Sequence, residues 1–145
     1  MRFLQNWPWL LEIVYKTTLV SLRPFRPWLK SGGLTERFFV RVERLSKGLI
    51  FDCRMCGQCV LHNTGMTCPM TCPKNLRNGP CGGVRTDGNC EVISDMPCVW
   101  AQAWERSKRM PTYGQAILQI QPPLNRSLEK SSAWINELNG VAQKV

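Results

Sequence analysis

All eight cysteines of this 145-residue chain fall between Cys53 and Cys98, as Cys53, Cys56, Cys59, Cys68, Cys72, Cys81, Cys90 and Cys98. The series opens as C-x2-C-x2-C, a spacing too tight for disulfides among its own members. Neighbouring thiolates in a tight turn can instead converge on one soft metal centre or iron–sulfur cluster. The window holds few apolar residues, so ligation must replace hydrophobic burial as its main staple. The expected fold class is a small, irregular α+β: a Cys-rich module stapled by metal or cluster, with flanking helices and a short hairpin.

The length excludes a (β/α)8 barrel, which needs roughly 200 residues or more. No strand–helix alternation and no glycine-rich nucleotide loop is present. Asn6, Pro8, Glu12 and Lys16 interrupt the N-terminal region where a secretory signal would need an unbroken apolar stretch. No apolar run is long enough to span a bilayer. A cytoplasmic location is therefore expected, where thiols stay reduced and cysteine arrays are usually metal-binding or catalytic.

The charge pattern divides the chain into a basic helical arm (1–50), a Cys-rich module (51–110) and a C-terminal extension with one helix (111–145). The arm holds nine Lys/Arg against three Asp/Glu, a balance of +6 out of a total of +9. Apolar spacing predicts a helix over 9–22, with Leu10, Ile13, Val14 and Thr17 on one face. Pro24 and Pro27 end it. A second helix is predicted over 34–49, capped by Thr35, with Phe38, Val42, Leu45 and Leu49 as its buried stripe. Asn78-Gly79-Pro80 and Gly82-Gly83 signal turns, and Asp87-Gly88 suggests a hairpin. Helices are expected over 99–109, carrying Trp100 and Trp104, and over 126–138, stopping near Gly140.

Four ligands close a structural zinc site, and four thiolates hold an iron–sulfur cube, so eight cysteines suffice for two centres. Cys53, Cys56 and Cys59 match the start of the ferredoxin run C-x2-C-x2-C-x3-C-P, but the Cys68-Pro69 pair is displaced from its place in that motif. The zinc alternative pairs Cys53/Cys56 with Cys68/Cys72 as two knuckles and leaves Cys59, Cys81, Cys90 and Cys98 for a second ion. Three cysteines at strict two-residue gaps favour a cluster. His62, the only histidine, is read as a solvent-facing loop residue, with a role as nitrogen ligand as the alternative. The basic residues Arg23, Arg26, Lys30, Arg37, Arg41, Arg44 and Lys47, with Trp7, Trp9 and Trp28, form either a solvated face or an arm that clasps a protein. Nucleic acid or an anionic membrane surface are the lesser readings.

The stretch CRMCGQCVLHNTGMTCPMTCPKNLRNGPCGG, followed by DGNCEV and PCVW, resembles the C-terminal domain family of methylenetetrahydrofolate reductases. That family also occurs as a separate small subunit of MetV type. The segment PPLNRSLEKSSAWIN is similar to the family's ending. The resemblance implies an iron–sulfur accessory, with zinc as the alternative metal, beside a barrel subunit that binds flavin and folate. It implies a subunit with no flavin of its own, not a self-sufficient reductase. Such a subunit would relay electrons to or from the partner's flavin through a cluster, [4Fe–4S] by its ligand count. The rival is a metal-stapled module that docks and stabilises a reductase or methyltransferase without moving electrons; a zinc-ribbon nucleic-acid binder is a third class. In the relay reading Cys53, Cys56 and Cys59 hold one centre with a remote fourth thiolate, and the other five cysteines compete for that place and a second centre. Gly79, Gly82 and Gly83 would let backbone amides approach cluster sulfurs. Trp100, Trp104 and Trp134 are candidate docking anchors, with Trp100 favoured for the core.

Overall fold

The computed structural model describes residues 2–29, 32–79 and 81–142. Lys30 of the basic arm and Pro80 of the predicted turn lie outside the described residues. The described residues form four α-helices, α1 (Pro8–Leu22), α2 (Leu34–Phe51), α3 (Val99–Ser107) and α4 (Ala133–Leu138), joined by short 3-10 turns and loops. The fold is mostly helical. Among the described residues the expected hairpin is reduced to isolated antiparallel bridges, Val84 with Cys90 and Asn89 with Pro97. The turn itself forms, with Gly88 N–H donating to Arg85 O and Arg85 N–H to Asn89 O, both at 2.9 Å. Cys90 N–H then donates to Met96 O instead of extending a ladder.

Helix α1 starts with Pro8 at its first position, where a missing N–H costs nothing. Helix α2 is capped by the extended Gly33 and not by Thr35, which sits inside the first turn. It ends at Asp52, in the left-handed region at φ 53°. The expected C-terminal helix is broken. A 3-10 turn over Arg126–Leu128 precedes α4, and Lys130 between them takes φ 68°. Its N–H donates to Met55 O at 2.8 Å, which draws this segment over the cysteine loop. Helix α4 stops at Asn139, followed by Gly140 at φ 69°, as the sequence indicated.

The predicted faces of the first two helices are inverted. Phe38, Val42, Leu45 and Leu49 are 63, 47, 68 and 55 % exposed, whereas Glu43 and Lys47 are buried. Leu10, Ile13 and Val14 of α1 are likewise exposed, and Glu12 is buried. The reason is polar satisfaction, because these buried acids serve backbone donors from distant segments. Glu12 Oε1 accepts from Thr112 N (2.9 Å) and Tyr113 N (2.5 Å). Glu43 accepts from Ser132 Oγ (2.5 Å), Ala133 N (3.3 Å) and Trp134 N (3.0 Å), the open N-terminus of α4.

One core cluster gathers Tyr15, Phe51, Leu61, Met66, Cys68 and Met110, and a second gathers Cys72, Cys98, Val99, Trp100 and Ala103. Trp100 is thus core, while Trp104, one turn on, is exposed beneath the Lys108 ammonium. Trp134 is half-buried against Tyr15, with Lys47 Nζ 4.6 Å from its ring centre.

Candidate metal centre

The loop after α2 has an unusual backbone. Asp52, Met55 and Gly57 all take positive φ (53°, 51° and 72°) in the irregular loop that presents Cys53, Cys56 and Cys59. Alternation between right- and left-handed conformations turns amide N–H groups inward, an arrangement common at anion and iron–sulfur sites. Met55 N–H donates to Cys53 Sγ at 3.4 Å. The backbone amides of Leu61 and Met70 sit at the same two-residue spacing from Cys59 and Cys68 and favour the charged form of those sulfurs. Cys56 Sγ points its own hydrogen at Gln58 O, 3.6 Å away.

Cys53, Cys56, Cys59 and Cys68 line one cavity. The remote fourth thiolate expected from the sequence therefore has a candidate position at Cys68. Burial is the main cause that pushes up Cys53, Cys59 and Cys68, and the charge of neighbouring thiols adds to it. Cys53 is raised to about 11 and Cys68 to about 12, and Cys59 is raised as well. Among the described residues no three His, Cys, Asp or Glu side chains stand close enough to hold a single metal ion as placed. The four thiols surround a space without closing on one point.

Two cations border that space. Lys47 lines it, and is buried in an ion pair with Glu43 at 2.9 Å. Burial alone would lower the Lys47 ammonium, but negative charge on Cys59, once that thiol ionises, and on the Glu43 carboxylate outweighs it and holds it above its ordinary value. Arg77 also lines the cavity. Its Nε donates to Pro122 O (2.9 Å) and its Nη2 to Gln58 O (3.1 Å), while Nη1 is buried with no hydrogen-bond partner. An orphaned buried guanidinium nitrogen beside four thiols suits an anionic group between them. The sequence marked neither cation as part of a thiol site. Lys47 was read only as one of the basic residues of the arm, and Arg77 only as one letter inside the stretch that resembles the reductase family.

The C-terminal segment locks this loop. Gln58 donates to Ala142 O (3.0 Å) and accepts from Asn125 N (2.7 Å), and Asn136 Nδ2 donates to Gly57 O (2.9 Å). A Cβ on Gly57 would run into the Leu128 carbonyl.

The other four cysteines lie elsewhere, and all eight are free thiols. Cys72 and Cys98 are buried in the second core cluster. Cys81 is exposed, accepts from Gly83 N–H at 3.3 Å and lies 3.9 Å from Glu91 Oε1. Cys90 is half-buried at its bridge to Val84. Gly79 and Gly82 take φ 65° and 76° in the neighbouring turns, away from the four-thiol cavity. His62 is not solvent-facing. It stacks on Tyr15 at 5.0 Å and meets Tyr113 edge-on at 5.4 Å, and burial lowers its pKa to about 4.

The family described as methylene-tetrahydrofolate reductase C terminal matches residues 33–127, well over half of the chain and all eight cysteines. The chain belongs to that family. Neither a curated protein nor a solved structure matches it. Family membership associates the chain with methylenetetrahydrofolate reductase, and so with one-carbon folate chemistry. Among the described residues no helix is long and apolar enough to cross a membrane.

Proposed function

We propose that this chain is the cluster-bearing accessory subunit of a methylenetetrahydrofolate reductase-type enzyme of the cytoplasm, and that Cys53, Cys56, Cys59 and Cys68 hold its iron–sulfur cluster, [4Fe–4S] in type. The observation that carries the proposal is the four-thiol cavity with Lys47 and Arg77 on its wall. A cluster there would pass single electrons to or from a flavin, which handles two, in a partner barrel subunit.

The residues of this chain supply the rest. The amides of Met55, Leu61 and Met70 stabilise sulfur charge and so set the potential. Lys47 and Arg77 compensate an anionic centre in a buried site, where an unpaired charge is costly. Burial raises Cys53, Cys59 and Cys68, so these thiols are protonated when nothing is bound; ligation must displace those protons. Gln58 and Asn136 fix the loop to the C-terminal segment, which holds the ligands in place.

The test is spectroscopic. Protein purified without oxygen should show broad visible absorbance that bleaches on reduction, and the reduced chain should then reduce the flavin of a barrel reductase. A colourless protein that carries only zinc would sink the relay and leave the docking module in its place.

A further inference from the structure

Helix α1 is apolar on nearly every side. Leu11, Tyr15 and Leu19 pack on the core, yet Trp9, Leu10, Ile13 and Val20 are exposed. A helix of that kind is stable when its outer side is buried as well. At about 100° per residue, the four exposed residues share an arc of about 100° opposite the buried Tyr15. They point straight away from the core. Helix α2 does the same: exposed Leu34, Phe38, Leu45 and Leu49 share an arc of about 60° opposite the buried Lys47. Val14 and Val42, both exposed, line the groove between the helices, so the two stripes meet across it. The result is one broad apolar face, which marks an interaction site.

We infer that this outer face of α1 and α2 seats the chain on an anionic lipid surface, with both helices lying flat in the headgroup layer. Charge selects that occupant. Lys16 and Arg23 fall on the flank of α1 turned away from the groove residues Thr18 and Leu22. Arg37, Arg41 and Arg44 fall on the corresponding flank of α2, turned away from Phe39 and Ser46. The apolar face is thus edged by cations along both outer sides. All five are exposed, and among the described residues none forms an ion pair. The acids of the same helices are turned inward: Glu12 and Glu43 are buried, and Glu36 accepts from Ser132 N. The face therefore carries charge of one sign only. A flat anionic surface uses this layout. Its acyl boundary takes the apolar centre, while long Lys and Arg side chains at the flanks reach the phosphates. Trp9 in α1, and Trp28 in the turn that follows it, are exposed and suit the headgroup level, where indole rings concentrate.

A protein partner would need an apolar surface two helices wide with acids along both edges. A second copy of this chain would bring the cations edge to edge, which is unfavourable. Half of the face, α1, lies ahead of the matched residues 33–127, so family membership supplies no partner for it. Among the described residues no helix can cross a bilayer, so the contact is peripheral. Glu43 and Lys47, on the inner side of α2, line the four-thiol cavity. Lipid on the outer side leaves that cavity untouched, whatever it binds.

The experiment is co-flotation of the full chain with vesicles of phosphatidylcholine, and of phosphatidylcholine mixed with phosphatidylglycerol. The wild type should float with the anionic vesicles, lose affinity as salt rises, and bind the neutral ones far more weakly. Arg41→Gln combined with Arg44→Gln should weaken anionic binding about tenfold or more. Ile13→Glu combined with Leu45→Glu, both at exposed positions, should abolish it at an unchanged melting temperature. If that pair destabilises the fold, the arginine pair decides. Ile120→Glu, exposed on the separate apolar patch beside Trp104, should bind like the wild type. A wild-type chain that ignores anionic vesicles, or binding that survives both pairs of substitutions, would overturn the inference. So would a wild-type dimer that Ile13→Glu with Leu45→Glu disperses, or affinity for a barrel reductase subunit that this variant loses, with vesicle binding unchanged in either case.

Discussion

Replacing Glu43 by Gln should be among the most damaging single changes in the arm. The Glu43 carboxylate is 2 % exposed, pairs with the buried Lys47 and accepts from Ser132, Ala133 and Trp134 at the start of α4. Gln keeps the shape but loses the charge, and its amide group meets backbone donors with a donor. Removing one partner of a buried ion pair costs about 3–5 kcal/mol, because the other charge stays behind unpaired. Loss of an N-terminal cap alone costs about 1 kcal/mol, and here it overlaps with the first effect. A loss of about 4 kcal/mol should lower the melting temperature by roughly 12 °C for a chain of this size. The assay is thermal unfolding followed by tryptophan fluorescence, at matched metal content. Adding Lys47→Met to Glu43→Gln should recover much of the loss, since no charge is then stranded. A single variant within about 1 kcal/mol of wild type, or a double variant worse than the single one, would refute the reasoning.

Gly57→Ala should deplete metal and destabilise the fold, because the residue takes φ 72° and its new Cβ would strike the Leu128 carbonyl; unchanged metal content and stability would contradict this. His62 should make the chain acid-sensitive. Its pKa is about 4 when folded against 6.5 in the free side chain, so below pH 6.5 the unfolded chain binds a proton that the folded one refuses. That contribution is complete above about pH 6.5 and is lost as the pH falls towards 4, by about 2–3 kcal/mol after allowing for partial exposure. His62→Phe keeps the ring stack and should flatten the pH dependence between those values; identical wild-type and variant profiles would show the imidazole to be solvated.

That Cys53, Cys56 and Cys59 face one cavity was legible because their spacing is local: three thiols at two-residue gaps need only one irregular loop. That Cys68 joins them was not, since Cys68, Cys72, Cys81, Cys90 and Cys98 are equivalent until the chain folds. Helix positions followed from apolar spacing, the Pro24 and Pro27 pair and Gly140. Helix faces did not, because apolar periodicity finds an amphipathic helix but not which side is inside. In α2 the polar side is inside, where Glu43 serves α4 and Lys47 borders the thiols. The same inversion in α1 follows from Glu12 serving Thr112 and Tyr113, a hundred residues away. The helix expected over 126–138 failed for a similar reason: Lys130 hydrogen-bonds Met55, and that tertiary contact outweighs helical propensity. Trp100, next to Cys98, was correctly placed in the core.

The central claim is that Cys53, Cys56, Cys59 and Cys68 serve one iron–sulfur centre. Iron and acid-labile sulfide should be measured per chain in oxygen-free preparations of the wild type, Cys68→Ser and Cys81→Ser. The account predicts iron and sulfide in equal amounts in the wild type. Cys68→Ser should lose that centre's full complement, and Cys81→Ser should retain it. A Cys68→Ser protein with wild-type iron and sulfide, or a wild-type protein with zinc and no sulfide, would contradict the account.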